Sequence, residues 1–458
     1  AGLAVTTGAL NTIVGGSAGL ALTTGGENVV VGYEALKNED DHGQNTAIGT
    51  QTLFAQNAGA TAQNVAVGYQ AGAAMTVGIY NTFVGSLAGD ALNDADNNVA
   101  IGRAALSSDT TGHGSVAIGR NALVSQNFTG GTTTHNVAVG DQAGLAVTTG
   151  IENTFVGSQC GDATDDGKEN TAVGSHALSN NCGNNNTAMG RYALVSATGE
   201  GNTALGHQAG IALGSGSNNT FVGKGAGDGT DDGTQNVAVG ISALSANCGN
   251  ANTAVGPEAL FATTGANNTA IGKDAGINNT SGGTNIFIGY QSGITGSPGG
   301  NQTTGNGGIF LGDDTIGDAY IQVDWTVASD ERDKTDFTAL DLGLDFVKAL
   351  EPVTYYWDKR SKYGDKYADD YDLDAQTPDG SHKEDWMDIG FKAQSVQALE
   401  EAAGYKLSDK KNLTVSSVED GKQLGLQYSK FIPILVKAIQ DQDAIIQSLT
   451  ARIAALES

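Results

Sequence analysis

Cysteine, proline and tryptophan are nearly missing from this chain, and the shortages exclude several kinds of protein. Only Cys160, Cys182 and Cys248 occur in 458 residues. An odd count without a C-x-x-C pair argues against a disulfide scaffold and against a zinc site. No run of about 18 apolar residues is present, so no membrane-spanning helix is expected. Glycine is plentiful, at 67 residues, but it follows no Gly-X-Y period, which excludes a collagen-like triple helix. Positive charge is scarce too: 23 Lys and Arg stand against 50 Asp and Glu, a net −27. A field of that sign repels nucleic acid and anionic membranes, so neither is an expected partner; it reads as a solvated acidic surface. The chain opens Ala1-Gly2-Leu3-Ala4, inside a repeat and without a signal-peptide pattern, and further sequence is expected before it.

The shortages are unevenly spread. Seven of the 23 basic residues precede Ser329, seven of the 67 glycines follow it, and Trp325, Trp357 and Trp386 all lie beyond residue 320. Two kinds of protein share one chain. The expected layout is a repeat shaft over 1–312, a connector strand over 313–328, a small domain over 329–427 and a C-terminal helix over 428–458.

What is abundant in the first part is a repeat. The pentapeptide Asn-(Thr/Val)-(Ala/Phe)-(Val/Ile)-Gly starts at Asn11, Asn28, Asn45, Asn64, Asn81, Asn98, Ser115 and Asn136. It continues at Asn153, Asn170, Asn186, Asn202, Asn219, Asn236, Asn252, Asn268 and Asn285, and a degenerate copy, Gly308–Gly312, ends the series. Most spacings are 16 or 17 residues. Each unit predicts a short strand bounded by Asn and Gly. A small residue followed by Leu or Gly, as in Ala177-Leu178 and Ala209-Gly210, then predicts a second strand or a corner. Short strands at this period predict a mainly β fold, a parallel β-solenoid or β-roll whose core is made by stacking coils. We assign the aliphatic position (Val14, Ile48, Val67, Val173, Leu205, Val255) to that core and the opposite, Ala-sized position to close approach of a second surface.

Every fourth coil carries Phe at the strand centre: Phe83, Phe155, Phe221 and Phe287. The Phe reads either as filling a gap between chains or as size variation at a core site. Acidic turns share the phase: Asp90, Asp94 and Asp96, then Asp162, Asp165 and Asp166, then Asp228, Asp231 and Asp232. Clustered oxygens of this kind are weak Ca²⁺ candidates, without the spacing of a calcium loop; solvated turns are the simpler reading, and no cofactor is expected. The region resembles the head repeats of YadA-like trimeric adhesins, with units two or three residues longer, which implies a trimeric fibre.

Beyond the strand-like Tyr320-Ile321-Gln322-Val323 comes Ser329-Asp330-Glu331-Arg332-Asp333-Lys334, then the helix-like 342–350 and Pro352-Val353-Thr354-Tyr355-Tyr356-Trp357. Gly390-Phe391-Lys392-Ala393-Gln394 and Tyr428-Ser429-Lys430-Phe431 follow. Together they resemble the peptidase S74 domain, the intramolecular chaperone of phage tail fibres and tailspikes. The resemblance implies a small α+β domain that gathers three chains. It also implies a Ser329–Lys334 dyad cutting between Ala328 and Ser329, with Asp330, Arg332 and Gln394 in support. Asp333 stands where that family has an aliphatic residue, and a carboxylate there would raise the Lys334 pKa and hinder it as a base.

At the end, Ile432, Ile439, Ile446 and Ile453 recur every seven residues, with Leu435, Leu449 and Leu456 three later, and Gln442 interrupting that second row. This predicts a short parallel coiled coil. Ile at a with Leu at d leans towards two strands, whereas the resemblance implies three. The expected function is a virion tail-fibre or receptor-binding protein, a homotrimer whose outside partner is a host surface receptor or glycan. A cell-surface adhesin with the same assembly domain is the alternative. A glycan-degrading tailspike fits less well, because the repeats show no paired carboxylates with supporting aromatics.

Overall fold

The structure, a computed structural model, describes the chain apart from residues 317, 318, 321, 323–326, 367, 369 and 458. It divides into two compact units: Ala1–Ile286 with Asn306–Gly308, and Phe287–Gly305 with Ile309–Ser458.

The first unit is a parallel β-solenoid. Sixteen three-residue strands, β1 (Thr12–Val14) to β16 (Thr269–Ile271), fall on the pentapeptides. Each pairs in parallel with the next and residue for residue, as in Thr171↔Thr187, Ala172↔Ala188 and Val173↔Met189. Fifteen steps of about 4.8 Å make a stack about 70 Å long.

The flanking residues of the pentapeptide follow from this stacking. Asn precedes each of β1–β16 except β7, where Ser115 stands, and points inward, where a buried amide needs partners. The repeat supplies them. Asn170 Oδ1 accepts from the Asn186 N–H at 2.9 Å, and Asn186 Oδ1 accepts from the Asn202 N–H at 3.0 Å. Asn153 Nδ2 donates to the Gly167 carbonyl at 2.8 Å. The closing Gly is required by closeness: at Gly174, φ +135°, a Cβ would sit 2.7 Å from the Gly190 carbonyl carbon.

The direction of the strand faces reverses our sequence assignment. The strand centres point inward and are fully buried, Ala47, Ala172 and Ala254 among them. The aliphatic residues assigned to the core point outward: Val14 is 57% exposed, Ile48 37% and Leu205 48%, and Val67, Val173 and Val255 are half-buried. A coil of 16 or 17 residues is too thin for two branched layers. Its volume comes instead from the corner, where Leu178, Leu194, Leu244 and Leu260 are wholly buried. That corner is a turn, not a second strand, and its leucines take left-handed backbone, φ 51° at Leu178.

The four-coil period is an exchange of volume inside the coil. Phe83, Phe155 and Phe221 are fully buried, so they fill no gap between chains. Glycine replaces the corner leucine in the same coil and in the one before. A Cβ at Gly144 or Gly161 would lie 3.2 or 2.5 Å from the Phe155 ring, and one at Gly210 or Gly227 would lie 2.9 or 2.5 Å from the Phe221 ring. The three thiols are free and buried, and burial pushes the Cys160 thiol up to about 12. They pack; they are not poised to react.

β17 (Ile286–Ile288) begins where the long segment of the first unit ends, and among its described residues the second unit also holds β18 (Ile309–Leu311), two antiparallel pairs and three α-helices. β19 (Val353–Tyr355) pairs with β20 (Asp388–Gly390), and β21 (Val415–Ser417) with β22 (Leu424–Leu426). The helices are α1 (Leu344–Ala349), α2 (Ala393–Ala402) and α3 (Phe431–Glu457). Leu342, Phe346, Val396, Val415, Phe431 and Ile434 make its core, with Phe391, Leu399, Leu413 and Leu426 around them. Glu400, buried at the end of α2, organises the loop before β21 by accepting from the N–H groups of Leu413 at 3.1 Å and Thr414 at 2.6 Å. The connector strand expected over 313–328 falls in part on residues outside those described.

Candidate cleavage site

Six residues build the site. Asp330, in extended backbone, caps a single 3-10 turn, Glu331–Asp333, by accepting from the Arg332 N–H at 2.9 Å. The Arg332 guanidinium folds back on the same carboxylate, with Nη2 to Oδ2 at 2.6 Å, and this holds the Asp330 carboxyl below its ordinary range. The turn brings the sixth residue over the first. Lys334 Nζ donates to Ser329 Oγ at 2.5 Å and to the Ser329 carbonyl at 3.3 Å. A hydroxyl in contact with an amine, on the residue after a peptide bond, is the arrangement that activates a weak nucleophile next to its target. Residues 329–405 match the family described as Peptidase_S74, chaperone of endosialidase. The match begins at the first residue of the dyad. It ends before the Tyr428–Phe431 motif and α3, and no curated protein matches the chain.

The S74 segment therefore places Ser329 beside Lys334 and Asp330 beside Arg332. Ala328, Ser329 and Lys334 are all exposed in the single chain. Asp333 forms no ion pair with Lys334 among the described residues. Gln394, the second residue of α2, makes no described contact with the dyad. It borders a cavity of about 720 Å³ with Asp313, Trp357, Arg360, Ser361 and Glu419.

Sequence reasoning missed those last polar residues. Glu419, in the turn between β21 and β22, accepts from the N–H groups of Thr303 at 2.9 Å and Thr304 at 2.8 Å, and from both hydroxyls. Asp314, buried, accepts from Ser361 Oγ at 2.7 Å and Lys366 Nζ at 3.2 Å. Partners 47 to 116 residues apart leave no local spacing to read.

The acidic turns do not gather. Asp165, Asp166, Asp231 and Asp232 are exposed, and Asp162 and Asp228 are half-buried beside them. Among the described residues, ligand atoms within 4.8 Å of one another occur at Glu39, Asp40 and His42, not at these turns. Glu39 is already engaged by the N–H groups of His42 at 3.2 Å and Ala58 at 3.1 Å.

Proposed function

We propose that this chain is the shaft and assembly domain of a homotrimeric virion fibre, and that the S74 domain gathers three chains and then cuts itself off before Ser329. One observation carries the assembly reading. The heptad face of α3 is left bare by its own chain, with Ile432 63%, Ile439 65%, Ile446 52% and Ile453 55% exposed. A soluble chain that displays such a stripe on a 27-residue helix covers it with copies of the same helix. The outward face of the solenoid strands, with Ile101, Met189 and Ile271 exposed, supports the same reading. The number three comes from likeness to S74 fibre proteins, and a host receptor or glycan as outside partner rests on that likeness too.

Cleavage follows from the dyad. Attack of Ser329 Oγ on the Ala328 carbonyl carbon closes a five-membered ring, because Ser329 lies just after the bond to be cut. The hydroxyl proton passes to a neutral Lys334 Nζ and on to the departing Ser329 amine as the C–N bond breaks. Water then hydrolyses the Ala328 ester and restores the hydroxyl. Intact mass of wild type beside Ser329→Ala and Lys334→Ala tests this. Wild type is expected to yield a fragment starting at Ser329 and both variants to stay whole; a wild type that stays full length after assembly overturns the cleavage reading.

A further inference from the structure

The proposed scissile bond lies inside a folded unit, not at its edge. The second compact unit begins at Phe287 and joins residues on both sides of Ala328–Ser329. Two anchors cross that bond. In the first, the Glu419 carboxylate sits on a turn of the shaft side, accepting from the backbone of Thr303 and Thr304 and from their hydroxyls, with Thr304 Oγ1 at 2.5 Å. Consecutive backbone N–H groups aimed at one carboxylate form an anion nest. In the second, the shaft-side Asp314 meets Ser361 Oγ at 2.7 Å, Lys366 Nζ at 3.2 Å and Lys362 Nζ at 3.7 Å, while Lys359 Nζ donates to the Asp314 carbonyl at 3.1 Å. Between them the Val418 side chain packs on the Gly300 backbone: a Cβ on Gly300 would lie 2.8 Å from it.

We propose that these anchors are a latch: once the chain is cut, fragment 329–458 stays docked on residues 287–305 and 309–316 of the same unit and leaves only when Glu419 and Asp314 are released. The proposal rests on the cleavage reading for its biological setting, but not for its geometry. Severing one peptide bond removes none of the contacts named here. It turns an intramolecular surface into a binding site whose partner is the chaperone fragment. The two anchors differ in kind. The Asp314–lysine pairs are weakened by salt, whereas Glu419 is held by neutral donors, so high salt alone leaves half the latch in place.

The test separates the two readings. In the full chain, Ser329→Ala blocks self-cleavage, and a recognition sequence for a specific endoprotease is inserted between Val327 and Ala328. The folded protein is cut and run on size exclusion with intact mass of each peak. Both pieces are expected in one peak. Adding Glu419→Ala and Asp314→Ala is expected to speed their separation by about ten- to a hundredfold, the range for losing hydrogen bonds to charged groups. Pieces that part at once without those changes, or that stay together equally long with them, overturn the latch. Thr304→Val, which removes one hydroxyl and keeps the backbone nest, is expected to have a smaller effect. Failure of the cleavage reading shows elsewhere, as a wild-type chain that never yields the Ser329 fragment.

Discussion

A lysine accepts a proton only where its charged form is disfavoured, and burial is the usual means. Lys334 has the right neighbour at 2.5 Å but lies in water in the single chain. For the proposed cleavage, the contact is therefore in place before the environment is, and packing of chains would supply the latter. Lys334→Arg keeps a donor near Ser329 and loses the base, so assembly is expected to persist while the chain stays whole by intact mass. Glu419 gives a second prediction at this scale. Burial works to raise its carboxyl, but the Thr304 hydroxyl and the N–H groups of Thr303, Thr304 and Gly305 outweigh it and hold the group at about 2, against an ordinary 4.5. A depressed carboxyl contributes fully above its ordinary value and is lost as pH falls through the depressed one. Cut pieces are thus expected to stay together from pH 7 to 5 and to part progressively between pH 4.5 and 2 on size exclusion. Glu419→Gln is expected to weaken that dependence and Glu419→Gln with Asp314→Asn to remove it, because Ser361 and the lysines hold the Asp314 carboxyl below its ordinary range as well. Separation already between pH 7 and 5 would assign the control to another group. The dyad was legible because its two members sit in one short motif. Glu419 and Asp314 were not, because their partners are brought to them only by the folded chain.

A single coil is not stable alone, and its sequence is a compromise between stacking and a thin interior. The Asn ladder and the closing Gly answer to stacking, and so the period, strand positions and parallel topology could be read from their recurrence. The inside of the coil could not. Hydropathy ranks Val173 above Ala172 for a core position, yet Ala172 is buried and Val173 faces out, because only a methyl fits between the strand and the Leu178 corner. The Phe coils make the same point in volume. Gly161→Leu alone drives a side chain into the Phe155 ring and is expected to cost about 1–3 kcal/mol. Phe155→Ala alone leaves a cavity and is expected to cost about 3–5 kcal/mol. Left-handed leucine is native at this corner, as Leu178 shows, so Phe155→Ala with Gly144→Leu and Gly161→Leu restores the composition of the neighbouring coils. Thermal melting is expected to place the triple variant well above Phe155→Ala; a triple variant no better than the sum of its parts would refute the exchange of volume.

At the scale of the whole molecule, repetition creates a register problem that the shaft does not solve by itself. Each strand presents nearly the same outward pair of residues, so two solenoids slipped by one coil still meet Val with Val or Ile. The four-coil period offers no correction, since the Phe residues that mark it are buried. Register has to come from an element that occurs once. α3 is such an element: its bare face of Ile432, Leu435, Ile439, Ile446, Leu449 and Ile453 is interrupted once, at Gln442, and only one alignment of its copies sets the Gln442 residues side by side. Ile439→Asp with Ile446→Asp places two carboxylates per chain in that seam, where unpaired charge is strongly disfavoured. Both residues are exposed in the single chain, so the fold of the second unit is expected to survive, as judged by circular dichroism. The mass in solution is expected to fall from three chains to one. If assembly also supplies the environment that Lys334 lacks, the Ser329 fragment disappears in the same sample. A variant that still assembles as three chains would remove α3 from the assembly reading and leave the outward sheet face as its only support. A variant that becomes monomeric yet still cuts would show instead that the dyad finds its base within one chain.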